Sequence, residues 1–172
     1  MKTHKSLSFQ LLLLTILFFG CDNSEKAEIK YQHRIGYINP ETSRYSIDFK
    51  LCNEEYIVGY YSSYAPQVYK NDKIAFRNFI RDNYQNKDYK DTGFLNLRFH
   101  INCEGQIGNV EVNELDQDLE LTNLNKELVQ QLINLSINKN NWNSFEYEGK
   151  QFDTYMYLIF KLENGNVHEI LP

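Results

Sequence analysis

The chain has 172 residues, enough for one domain with a core of its own. Its 18 basic and 23 acidic side chains leave a net charge of −5. That sign speaks against nucleic acid as a partner and against adhesion to anionic lipid through basic patches. The 13 Tyr and 11 Phe supply bulk for a dense core.

At the amino terminus, Lys2, His4 and Lys5 precede the apolar run Leu11-Leu12-Leu13-Leu14-Thr15-Ile16-Leu17-Phe18-Phe19. A bilayer core of roughly 30 Å needs about 20 apolar residues, so this run is too short to cross it and reads as a signal sequence. It ends at Gly20-Cys21, which resembles the lipobox of bacterial lipoproteins, although Phe18 and Phe19 are bulkier than that pattern usually holds. The resemblance implies cleavage of residues 1–20 and lipidation of Cys21. Two acyl chains there would anchor the protein stably. An ordinary secretory signal with an incidental cysteine is the competing reading. Removing Lys2 and Lys5 would make the remaining chain more acidic still. The expected location is the Gram-negative cell envelope, with the domain facing the periplasm or the cell surface. Cys52 and Cys103 are then an even pair in an oxidising space, and a disulfide between them is expected. Two buried free thiols are the alternative.

Residues 21–30 are polar and read as a tether, and 31–70 as a β-hairpin lead-in. Tyr31 to Ile38 has the character of a strand stopped by Asn39-Pro40. From Tyr45 to Cys52 apolar and polar residues alternate, with Tyr45, Ile47, Phe49 and Leu51 on one face. Asn53-Glu54-Glu55 turns the chain, and Tyr56 to Tyr61 returns beside it. Asn71 or Asp72 can cap a helix that presents Ala75, Phe76, Phe79 and Ile80 and ends near Tyr84.

After Gly93, Leu95, Leu97, Phe99, Ile101 and Cys103 alternate with Asn96, Arg98, His100 and Asn102, the clearest strand in the chain. Glu104-Gly105 turns it, and Ile107 to Leu115 returns. A second helix is predicted from about Thr122 to Ile137 on the stripe Leu121, Leu124, Leu128, Leu132 and Leu135. Trp142 follows in a loop. The last predicted strand, Phe152 to Leu162, puts Phe152, Met156, Leu158, Phe160 and Leu162 on one face and Tyr155, Tyr157 and Ile159 on the other. The pattern predicts an α+β fold: an antiparallel sheet with two helices on one face, preceded by a β-hairpin.

From Asp72 to Leu162 the order of elements resembles the carboxy-terminal domain of TonB, an energy transducer of the Gram-negative periplasm. The resemblance rests on Gly93 before an alternating strand and on the turn Asn102-Cys103-Glu104-Gly105-Gln106-Ile107. The leucine-striped helix, Trp142 and Tyr147-Glu148-Gly149-Lys150 before a long strand complete it. It implies a TonB-like domain over 71–172. It further implies that the final strand accepts a peptide segment of an outer-membrane protein by strand addition, flanked by Tyr155, Tyr157 and Ile159. In the competing view the amino-terminal hairpin covers those side chains itself. The family's transducers start with an uncleaved membrane helix and a proline-rich spacer; this chain has three prolines and an apolar run of the wrong length. A complete energy transducer is therefore disfavoured.

No nucleophile–base pair, paired carboxylates or phosphate-cradling loop shows a recognisable spacing, so no enzyme and no cofactor are expected. His100 and Cys103, three apart in a strand, would face opposite ways and do not suggest a metal site. On the polar face of its strand, His100 reads as a solvated residue. Asp116, Asp118 and Glu120 lack the glycine and terminal glutamate of a calcium loop. A non-enzymatic envelope lipoprotein that binds a peptide or protein partner is the reading the sequence favours. An accessory lipoprotein without a specific ligand is the alternative, and an open strand edge would also permit self-association.

Overall fold

A computed structural model describes residues 36–45, 47–59 and 68–171. The signal segment, Cys21, the tether and Tyr60–Tyr61 lie outside the described residues. Eight elements follow in chain order: β1 (Ile57–Gly59), α1 (Lys73–Asn83), β2 (Gly93–Ile101), β3 (Ile107–Leu115), α2 (Lys126–Ser136), β4 (Phe145–Tyr147), β5 (Lys150–Glu163) and β6 (Asn166–Leu171). Asp72 caps α1, its Oδ1 accepting from the Ala75 amide at 2.6 Å, and Phe76 and Ile80 one turn apart reach the core. Asn125 caps α2 through Oδ1, which accepts from the amides of Glu127 and Leu128.

The second helix is shorter than its leucine stripe suggested. Leu121 is bridged to Leu115 at the sheet margin and is 80% exposed, while Leu124 N–H donates to Glu114 Oε2 at 2.8 Å. These bonds hold residues 121–124 extended, so the helix begins after them. Its buried face is Leu128, Val129, Leu132 and Ile133.

The fold is α+β, and its sheet is mixed rather than purely antiparallel. At its centre β5 pairs antiparallel with β2, from Gly93 opposite Leu162 to Ile101 opposite Thr154, and β2 pairs with β3. Along the other edge of β5, β1 lies parallel at Asp153–Tyr155 and β6 antiparallel at Ile159–Glu163. One face of this sheet carries Leu95, Leu97, Phe99 and Ile101 of β2 with Met156, Leu158, Phe160 and Leu162 of β5, all fully buried. Both helices contribute to this same core. Trp142 closes one end, its ring packed on Tyr69, Phe76 and Phe99 and its Nε1–H donating to Ser136 O at 2.6 Å.

Among the described residues, the expected lead-in hairpin does not form. Tyr45 and Asp48 adopt left-handed φ of 57° and 64°, which breaks a strand, and Ile47 is 91% exposed instead of facing inward. Among the described residues the returning segment forms β1, and its partner is β5, some hundred residues away, not its chain neighbour. Two further strands, β4 and β6, escaped the sequence reading. Both are joined to β5 by turns, Glu148-Gly149 and Asn164-Gly165, in which each residue has positive φ.

Candidate functional site

The second face of the sheet bears Tyr155, Tyr157 and Ile159, which β5 aligns with His100, Arg98 and Asn96 of β2. The residues expected to flank a guest are therefore side by side, but at one end the chain has its own cover. Tyr155 is buried, and β1 occupies the strand edge beside it. The cover is close enough that a Cβ on Gly36 would fall 2.5 Å from the Tyr155 ring, and one on Gly59 2.7 Å from its hydroxyl. Tyr157 and Ile159 are half-buried, and β6 pairs with β5 from Ile159 onward. Between β1 and β6, residues 156–158 of this edge have no strand partner among the described residues.

A polar cluster fastens the cover. Cys52 and Cys103 form the expected disulfide, Cα–Cα 6.1 Å. Beside it the buried Asp153 carboxylate accepts from the Asn53 amide at 2.6 Å and from the Cys103 amide at 2.9 Å, one oxygen to each partner. Asn102, also buried, organises the turn after β2: its Oδ1 accepts from the amides of Glu104 and Gln106, and its Nδ2 donates to Lys50 O in the cover. Farther along, Arg98 donates to Tyr37 O at 3.1 Å and to Glu111 Oε1 at 3.0 Å. The Arg44 and Val110 backbones exchange two hydrogen bonds.

His100 is not solvated. It is 1% exposed, with Nε2 2.7 Å from Gly36 O and Nδ1 3.2 Å from Asn109 Nδ2, and Phe49 stacks over its ring. A neutral imidazole protonated at Nε2 satisfies both partners, donating to the carbonyl and accepting from the amide. The polar periodicity of β2 identified the face correctly; what it could not supply was the cover lying on that face. Asn109, the left-handed residue at the β2–β3 bulge, turns its side chain toward the ring.

Burial pushes the His100 pKa below its ordinary value near 6.5, against smaller upward pulls from the Gly36 carbonyl and Asp153. The folded state then binds fewer protons than the unfolded chain once pH drops below about 6.5, so stability is lost on acidification through that range. Denaturation midpoints measured from pH 7.5 to 5 will fall more steeply for the native sequence than for His100→Gln. Equal slopes would show that the ring carries no such penalty.

The Sγ atoms of Cys52 and Cys103 and the Asp153 carboxylate lie within 4.8 Å of one another. Their chemistry is already committed, since the sulfurs are bonded to each other and the carboxylate oxygens accept from backbone amides. A thiolate metal ligand needs a free sulfur, so this arrangement is a fastening. Among the described residues no helix is long and apolar enough to cross a membrane. No family model matches the chain, and neither the curated proteins nor the solved structures include a match to it.

Proposed function

We propose that this protein is a non-enzymatic, lipid-anchored component of the cell envelope whose folded domain recognises a peptide or protein partner. The observation that carries the reading is the Cys52–Cys103 bond. It accounts for two of three cysteines and leaves Cys21, directly after the apolar run, as the one thiol available for acylation. A disulfide is also at home in an oxidising compartment outside the cytoplasm. The polar interior groups lend indirect support: His100, Asn102, Asn109 and Asp153 are engaged in holding the chain's own segments together.

Recognition of a partner rests on the resemblance to the TonB carboxy-terminal domain. The succession α1, β2, β3, α2, β5 is compatible with it. The edge of β5 nominated by that resemblance is already paired with β1 and β6 over most of its length, so a partner at this edge would have to displace the chain's own strands.

Intact mass of the protein extracted from membranes tests the anchor. The expected species begins at Cys21, carries fatty acyl chains and gains two mass units on reduction. A chain beginning at Met1, or an unmodified sulfur at Cys21, would sink the proposal. Crosslinking in intact envelopes tests recognition: a specific protein adduct is expected, and consistent recovery of the protein alone would point to an accessory spacer instead.

A further inference from the structure

Strand β6 is the last in the sheet, and its outer edge has no strand partner among the described residues. Beside β6 runs a groove of about 210 Å³, lined on one side by Arg77, Arg81 and Tyr84 from α1 and its end, and on the other by the run Asn166–Ile170. Val167 and Ile170 lie in that run, packed at the core margin, and Glu169 is exposed on the strand side. Neither arginine has a carboxylate within ion-pair reach among the described residues. His168 instead lies 3.5 Å from Glu163.

Arg77 and Arg81 are four residues apart, so they project from one side of the helix with an axial rise of about 6 Å. Same-side residues of an extended chain, two apart, repeat at about 6.8 Å. The two spacings match closely enough for two alternate carboxylates of one strand to meet both guanidiniums. An arginine fork grips a carboxylate through paired N–H donors, which gives direction as well as charge. Glu169 on the facing wall repels acid there, and so fixes which side of a guest must carry it.

We infer that the groove between α1 and β6 is a docking slot for an acidic extended peptide, which adds as a strand to β6 and places carboxylates two residues apart on Arg77 and Arg81. The recognition signal is then an acid–any–acid pattern in a β-prone segment. This inference rests on the proposed role as a binding protein and assigns the surface responsible. It also explains how partner binding can coexist with a β5 edge already in use.

The test uses the full-length protein in detergent micelles and a fluorescent nonapeptide of Val and Thr with glutamates two residues apart. Saturable binding is expected, weakened roughly tenfold by Glu→Gln in the peptide or by Arg77→Gln with Arg81→Gln in the protein. The double variant should keep the thermal midpoint of the native chain, since neither side chain is buried. Backbone amide shifts on binding should cluster at Asn166–Ile170. Equal affinity for both peptides, shifts centred on Tyr157 and Ile159, or citrate binding as tightly as the peptide would each overturn the slot. If envelope crosslinking still captured a protein partner, the slot alone would fall. If it captured none, the binding role would fall with it.

Discussion

Replacing Cys52 and Cys103 together by alanine will lower the unfolding free energy by about 4 kcal/mol, the value expected for opening a loop of some fifty residues in the denatured chain. The bond joins the cover to the turn after β2. Among the described residues, β1 contributes three paired residues, the Arg44–Val110 bridge adds two hydrogen bonds, and side-chain contacts such as those of Arg98 and Asn102 supply the rest. Urea denaturation of the variant, compared with the oxidised native protein, measures the difference. The second face should respond before the core does, with faster amide exchange at His100 and Tyr155 and unchanged exchange at Leu97 and Leu158. A variant within about 1 kcal/mol of the native protein would mean that the denatured chain is already compact enough to remove most of the loop entropy.

Asp153→Ala is the second large effect, a loss of about 3 kcal/mol. The carboxylate is 1% exposed and accepts from two backbone amides, and hydrogen bonds to a charged partner contribute roughly 1.5–3 kcal/mol each. Removing it leaves the amides of Asn53 and Cys103 without their acceptor in a partly buried setting. Some relaxation of the Asn53 side offsets part of the cost, since that residue is exposed. Asp153→Asn keeps one acceptor oxygen but sets an NH2 group against the other amide, and should recover less than half of the loss. Because Asp153 and the disulfide fasten the same two segments, the triple variant should fall short of the sum of the separate effects. Full additivity in denaturant titrations would show that the two act on different parts of the fold.

Much of this architecture was legible in the residues. Alternation in β2 was strong because one face is packed by helices while the other carries Asn96, Arg98 and His100, so the two-residue period was clean. The Asp72 cap and the Phe76–Ile80 spacing located α1 to within a residue of its start. The disulfide followed from counting. Failures came where local pattern and tertiary environment disagree. Tyr45 to Leu51 alternates, yet among the described residues nothing pairs with it as a strand, and left-handed turns at Tyr45 and Asp48 put Ile47 into water. Strand β1 falls within the predicted strand Tyr56 to Tyr61, but its partner is parallel and far along the chain, which no local pattern reveals.

The sequence does carry a signal for the turn into β6. Asn164-Gly165 is a pair that favours the positive φ of a tight hairpin turn, and here φ is 50° and 72°. The bulge between Lys161 and Leu162 shifts the pairing of the returning strand and hides its alternation. At the candidate site, Tyr155, Tyr157 and Ile159 were placed on the correct face from periodicity alone. That β1 would take the edge beside Tyr155 depends on a contact across nearly the whole domain, which no local window contains. Arg77 and Arg81 gain a site only from the wall opposite them, and that wall is β6, which local pattern hides.

Because every strand except β3 is bonded to β5, the sheet is organised like spokes on a hub that occupies residues 150–163 of 172. A ribosome delivers that hub after every other strand except β6. Until then the nascent chain can close only the β2–β3 hairpin and its two helices, with their greasy sides unsheltered. Assembly of the sheet therefore waits for residues 150–163, and their loss would remove the axle around which the remainder is built.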